Sequence, residues 1–363
     1  MARLLIVTGL RILRMLRKAC AFLVVGLQGQ FAPYNSRIEH KIVNLIGVRM
    51  LNKSALFLCF MFIVSSCNKM PKTQSDTHWY DGMPRPSWSE YNLIDNNQDW
   101  FEVYQLNEKT YAIYEPNQWQ EAISYLLIGT EKAMLVDTLQ GIGDLKSVVE
   151  QLTNFPVIVI NTHSHFDHVS GNYQFDNIYG VNNAFTLNNA NGHDHSVNAG
   201  NMTADTFWKN VPKDFSVDTY ENKPYTISQY LMDGEIIDIG DRPIEVAFIP
   251  GHSPDSLFLV DRNNRMMMTG DSFYPAGLYV YSATSSFRDY VNSVQTMLKY
   301  ESDVDFLLPG HNETMQPASY LAKLRAATLA VQDTSTPSTI DDEGIHTYQF
   351  EGFSLLVRKP LDY

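Results

Sequence analysis

Cysteine is nearly missing from this chain: Cys20, Cys59 and Cys67 are the only three in 363 residues, and all lie in its first fifth. The body that follows has no disulfide framework, no thiolate to bind metal and no cysteine nucleophile. Basic side chains are scarce there too. Residues 1–49 carry eight Lys and Arg against the single acid Glu39, and Lys53 is the only charge from Met50 to Ser66. From Cys67 onward 18 basic side chains therefore face 39 acidic ones, a net charge of −21. A body so acidic repels phosphate backbones and anionic lipid surfaces, which argues against nucleic acid as substrate or partner. No internal repeat with a period of about 20–50 residues is visible. The 44% apolar content still suffices for a sizeable core.

The N-terminus reads as an address. After Lys53, the ten residues Ala55 to Val64 are all apolar, and Ser65 and Ser66 then precede Cys67. The run is shorter than the ~20 residues of a spanning helix and fits a signal peptide over 50–66. Val64-Ser65-Ser66-Cys67 resembles a bacterial lipobox, which implies a lipid on Cys67 and a place in the cell envelope. Residues 1–49 read as an over-extended gene start or a further targeting segment. The Pro-, Ser-, Asp- and Asn-rich stretch 67–95 reads as a tether to a domain over 96–363.

Within that domain, Phe101–Leu106, Thr110–Tyr114, Ile123–Gly129 and Ala133–Val136 are short apolar runs between turn residues, as in a meander. The spacing of Leu145, Val148, Val149 and Leu152 predicts a helix over Asp144–Leu152. Strands are expected at Val157–Ile160, Ile178–Gly180, Ile236–Ile239, Ile244–Ile249, Ser256–Val260, Arg265–Thr269 and Val304–Leu308. Helices are expected at Phe287–Tyr300 and Ala318–Val331, and a final strand pair at Thr347–Phe350 and Ser354–Val357. This is an α/β pattern of sheets covered by helices around one core. Residues 192–230 fit it less well: their aromatics read either as a lid or as a surface excursion with its own cluster.

His163, His165, Asp167 and His168 crowd into six residues behind the strand Val157–Ile160. So many potential ligands would repel one another and suffer desolvation unless a cation neutralised them. Imidazole and carboxylate without thiolate favour zinc, with iron and manganese as alternatives.

His163-x-His165-x-Asp167-His168 resembles the signature of the metallo-β-lactamase superfamily. Asp137 in Leu135-Val136-Asp137-Thr138, His252 in Pro250-Gly251-His252-Ser253, Asp271 in Thr269-Gly270-Asp271 and His311 in Leu308-Pro309-Gly310-His311 follow that family's order. Each falls at the C-terminal end of an expected strand, where open sheets place their sites. The resemblance implies an αββα sandwich with two zinc ions. His163, His165 and His252 would hold one ion and Asp167, His168 and His311 the other, with Asp271 between them and Asp137 orienting ligands from behind. A water shared by two divalent ions ionises near neutral pH, which gives a hydroxide to attack a carbonyl. Asp167 or Asp271 would pass on the proton.

Aspartate at position 271 resembles the family's thioesterase, lactonase, phosphodiesterase and sulfatase branches, because its β-lactamases usually have cysteine or serine there. The expected activity is hydrolysis of a small lactone, ester, thioester or amide, with β-lactam hydrolysis or an iron-dependent oxygenase as alternatives. Tyr274 is a candidate to polarise the carbonyl, and Tyr279 and Tyr281 lie in the same loop. Lys209, Lys213 and Lys223 form a candidate basic patch. His193 and His195 are read as loop residues or a third metal site, and His78 and His346 as surface residues.

Overall fold

The computed structural model describes residues 78–333 and 335–361. The expected signal peptide, the lipid-bearing Cys67 and the segment 1–49 lie outside the described residues. Among the described residues no helix is long and apolar enough to cross a membrane.

The first sheet has eight strands in sequence order: β1 (Asn92–Ile94), β2 (Glu102–Asn107), β3 (Thr110–Tyr114), β4 (Ile123–Ile128), β5 (Ala133–Val136), β6 (Val157–Ile160), β7 (Ile178–Val181) and β8 (Gln229–Leu231). It runs antiparallel as far as β5 and parallel from β5 to β8. The second sheet takes β9 (Ile236–Asp238), β10 (Pro243–Phe248), β11 (Leu257–Asp261) and β12 (Met266–Gly270). After β13 (Gly277–Val280) leaves for a third sheet, β14 (Phe306–Pro309) and β15 (Gln316–Pro317) complete the second one. The third sheet joins β13 to β16 (Thr339–Ile340), β17 (Ile345–Phe350) and β18 (Phe353–Arg358), which includes the expected C-terminal strand pair.

Alternation along the strands makes the layers. Ile123, Tyr125 and Leu127 of β4 meet Leu257 and Leu259 of β11 and Met266 and Met268 of β12 in the core between the two large sheets. The intervening Leu126 faces α1 (Leu145–Leu152) through Leu145, Val148 and Val149. Phe258, Val260 and Met267 face the opposite way, toward the long helices Phe287–Leu298 and Tyr320–Gln332 and the third sheet. The result is the four-layer αββα sandwich.

One domain boundary differs from the sequence expectation, and one internal segment packs closely. The tether reading of 67–95 fails from residue 78 onward, because Trp88 is only 3% exposed and stacks 4.4 Å from Tyr114. Its Nε1 donates to the carbonyl of Asn312 at 3.0 Å, and β1 adds a strand to the first sheet. Proline and serine around one buried indole give a linker-like composition to a segment that packs. In 192–230 most of the aromatics anchor the segment: Phe207, Phe215, Tyr220 and Tyr225 pack on the outer face of the first sheet. Its backbone also pairs with 117–119, through Trp119 N to Thr206 O and Trp208 N to Asn117 O.

Candidate metal centre

Every ligand candidate lies just past a strand. β5 leads to Asp137, and β6 to the loop of His163 and His165 and then α2 (Phe166–Val169) with Asp167 and His168. β10, β12 and β14 lead to His252, Asp271 and His311. Two glycines let these loops converge. A Cβ on Gly310 would stand 2.8 Å from His168 Cε1, and one on Gly270, whose φ is +49°, would stand 2.5 Å from Thr162 Oγ1. Neither position has room for a side chain.

The side chains gather into overlapping groups: His163, His165 and His252; His163, His168 and Asp271; Asp167, His168 and His311. Within each group the ligand atoms lie within 4.8 Å of one another. In the first half, His165 Nδ1 stands 2.9 Å from both His163 Nε2 and His252 Nε2. In the second, His168 Nε2 and His311 Nε2 face each other at 3.2 Å, with Asp167 Oδ2 at 3.9 and 3.7 Å. Asp271 spans both halves. Its Oδ1 lies 3.1 and 3.0 Å from His168 and His311, and its Oδ2 lies 3.5 and 4.0 Å from His252 and His163.

Outer partners fix which nitrogens face inward. His168 Nδ1 donates to Asp137 Oδ2 at 2.8 Å, His311 Nδ1 to the carbonyl of Gln120 at 2.7 Å, and His252 Nδ1 to the carbonyl of Tyr279 at 2.8 Å. Their Nε2 atoms therefore point unshared pairs at one another, and Asp271 Oδ1 is buried without a hydrogen bond. Asp137 is committed further: it accepts the amide of Thr162 at 2.7 Å and its hydroxyl at 2.8 Å, from a backbone with φ of +63°.

The two halves differ in charge. Burial pushes His165 and His252 down to about 4 and holds His163 well below its ordinary range, so all three are neutral near pH 7. Burial also acts on His168 and His311, but the carboxylates beside them, Asp271 foremost, raise both. Burial works against ionised Asp271, yet His311 and His168 hold it well below the usual carboxylate range. Converging imidazole and carboxylate groups of this kind fit divalent cations of intermediate hardness.

The fold and site define a class. The metallo-beta-lactamase superfamily model matches residues 121–311, and the chain belongs to that superfamily and is a hydrolytic enzyme. It is 27% identical over 232 residues to acyl-coenzyme A thioesterase MBLAC2 of Homo sapiens, spanning 60% of this chain and 82% of that one. It is 25% identical over 201 residues to a probable metallo-hydrolase of Methanocaldococcus jannaschii, spanning 52% and 87%. Among solved structures, the sec-alkylsulfatase Pisa1 from Pseudomonas sp. superposes with a TM-score of 0.50 at 14% identity, over 65% of this chain and 45% of that one.

The remaining candidate residues lie as follows. Tyr274 is 5% exposed, its hydroxyl donates to the carbonyl of Gly277, and its ring packs 5.0 Å from that of His311. It packs beside a candidate ligand, with its hydroxyl already engaged. Lys209 and Lys213 line one groove and Lys223 an adjoining one, the two sharing Gln98 and Pro212. His193 pairs with Asn189 at 3.0 Å, and among the described residues neither it nor His195 joins a ligand group. His78 stacks on Tyr80 and His346 meets Ser338. Tyr279 acts at the centre through its carbonyl.

Three supports escape sequence reading. Besides holding His311, Gln120 donates from its side chain to Asp167 Oδ2 at 2.9 Å. Asp255, 3% exposed, accepts hydroxyls from Ser164, Thr186 and Ser253 and so ties the His163–His165 loop to the His252 loop. Glu115, fully buried, accepts from Trp100 Nε1 and the Gln140 amide.

Proposed function

We propose that this enzyme hydrolyses an activated carbonyl substrate, a thioester or ester foremost, at a centre for two divalent metal ions, zinc above all. The observation that carries the reading is the set of inward-facing nitrogens on five histidines, four buried and His165 half-buried, with a carboxylate between them, an arrangement that is costly unless cations fill it. His163, His165 and His252 would hold one ion, Asp167, His168 and His311 the other, and Asp271 both. When bound, the ions supply a hydroxide nucleophile near neutral pH and draw charge from the attacked carbonyl. Asp137 keeps His168 in the tautomer that presents Nε2. Gln120 fixes one oxygen of Asp167 and leaves the other to take up or hand on a proton. Asp271 in place of a thiolate, and a relative named as an acyl-coenzyme A thioesterase, support the thioester and ester class over β-lactams. The lipid on Cys67 and an envelope location belong to the same proposal and rest on the lipobox-like sequence.

The test compares kcat/KM for zinc-loaded protein across acyl-coenzyme A thioesters, aryl esters, lactones, β-lactams, phosphodiesters and sulfate esters. Thioesters or esters should lead, with β-lactams behind by at least ~100-fold, roughly 3 kcal/mol of misplaced leaving group. His165→Ala should remove at least ~10³-fold of the leading activity, since the Lewis-acid contribution is worth several kcal/mol. A β-lactam or a sulfate ester at the top would overturn the substrate class. Full activity after exhaustive chelation would overturn the metal centre.

A further inference from the structure

The second half of the centre is held by residues on either side of Gln120 and His311, and these are in turn gripped from far away in sequence. Glu121 follows Gln120, and Asn312 follows His311. Both are non-glycine residues in the left-handed region, with φ of +48° and +66°. Such conformations persist only where the surroundings over-determine them, and they cluster at functional sites.

Here the surroundings are explicit. Asn312 N donates to the carbonyl of Glu121 at 3.0 Å, and Asn312 Nδ2 donates to Glu121 Oε1 at 3.1 Å. Tyr114 donates its hydroxyl to Glu121 Oε2 at 2.6 Å. Arg85 then closes on the same carboxylate with a fork, Nε to Oε2 at 2.5 Å and Nη2 to Oε1 at 2.7 Å. Bidentate guanidinium–carboxylate pairs fix geometry as well as charge. Trp88 Nε1 donates to the carbonyl of Asn312 at 3.0 Å while its ring stacks on Tyr114. One residue away, the Gln120 carbonyl takes the His311 Nδ1 proton, the Gln120 side chain holds Asp167, and Ala122 bridges to the backbone of His311.

We propose that residues 85–88 are a strap that sets the second half of the metal centre: Arg85 and Trp88 lock Glu121 and Asn312, and thereby position the carbonyl of Gln120 and the ring of His311. Both strap residues precede the 121–311 stretch that the family model matches. The proposal rests on the two-ion reading above. Arg85 and Trp88 are positioning residues that touch no ligand atom themselves.

Calorimetric titration of zinc into chelator-treated, full-length protein tests it. Wild type should take up two ions. In Arg85→Met one ion should bind as in wild type and the other ~10- to 100-fold more weakly, the range by which groups behind metal ligands alter affinity. Arg85→Lys should recover part of the loss, because a single ammonium replaces the fork. Thermal unfolding of the metal-free variants checks that they fold. Should Arg85→Met fail to fold, Trp88→Phe carries the test, since it keeps an aromatic stack and loses only the hydrogen bond to Asn312. Two ions bound at wild-type affinity in a folded strap variant would overturn the strap and leave the two-ion reading intact. Equal weakening of both ions would also overturn it, as a general softening of the fold. Wild type that binds no ion would overturn the two-ion reading and the strap with it.

Discussion

His163, His165 and His252 stand on two loops tied to each other by one buried carboxylate, Asp255, whereas Asp167, His168 and His311 depend on partners spread from Arg85 to Asn312. The first half is the more local: its loops follow β6 and β10, Asp255 is three residues from His252, and Tyr279 adds a carbonyl from β13. The second half is assembled at long range, through Asp137, Gln120 and the strap. The charges differ in parallel. Burial, foremost, holds the three histidines of the first half below their ordinary range, while in the second half the carboxylates, Asp271 foremost, raise His168 and His311. A compact ligand set can be built from adjacent loops. One that also balances two carboxylates needs supports drawn from the rest of the chain.

The supports of the second half run back to a titrating group. Gln120 N donates to Gln118 Oε1 at 2.8 Å, Gln140 Nε2 donates to the same oxygen at 2.9 Å, and the Gln140 amide donates to Glu115. Burial pushes Glu115 from 4.5 up to about 7. Its folded pKa lies above its unfolded one, so the two states hold the proton equally below about pH 4.5. Between there and pH 7 the unfolded chain ionises first, and stability falls by up to about 3 kcal/mol. Above pH 7 the loss is complete. Glu115→Gln should abolish this fall, so the variant's Tm relative to wild type should climb from pH 5 to pH 7 and then level off. A difference that stays flat across that window would detach Glu115 from the comparison.

Asp255→Asn probes the other half at somewhat smaller magnitude. Its amide cannot accept from three hydroxyls as the carboxylate does, and the two loops should lose their common anchor. Zinc affinity at the first half should fall ~10- to 100-fold, about 1.4–2.7 kcal/mol, with the second half unaffected. The mirror image of the Arg85→Met result is the expectation. Weakening of the second ion by Asp255→Asn would show that the halves are not independently supported.

The cluster of candidate ligands was legible in sequence because its residues are local. Four lie within six residues, and His252, Asp271 and His311 each follow an apolar strand and a glycine. The sandwich was legible because β4, β5, β11 and β12 are buried along almost their whole length and read as apolar runs. Arg85 and Trp88 were not legible: their partners are 36 and 224 residues away, in a segment whose prolines and serines resemble a linker. Gln120 and Tyr279 were hidden for a different reason, because each holds a histidine by its backbone carbonyl, which every residue type possesses. Asp255 is one acid in a Ser-Pro loop, and only the fold brings Ser164 and Thr186 to it.

Tyr274 gives the smallest expected effect and separates the two kinds of contact near the centre. Its sequence position, three residues after Asp271, made its hydroxyl a candidate to polarise a carbonyl. In the fold that hydroxyl is given to Gly277, and the ring lies against His311. Burial raises the phenol well above its ordinary range, so it cannot serve as a proton acceptor near neutral pH. Tyr274→Phe keeps the ring, and with it the packing on His311, and deletes one hydrogen bond. Stability should fall by about 1 kcal/mol, the net worth of a typical intramolecular hydrogen bond. Zinc affinity of both halves should be unchanged, and kcat/KM should stay within about threefold of wild type, well short of the loss that follows removal of an oxyanion donor. Tyr274→Ala, which removes the ring, should instead weaken the second half alone, because only His311 packs against it. A drop of ~100-fold or more in kcat for Tyr274→Phe with metal content intact would return the hydroxyl to the reaction, and would mean that the bond to Gly277 opens when substrate binds.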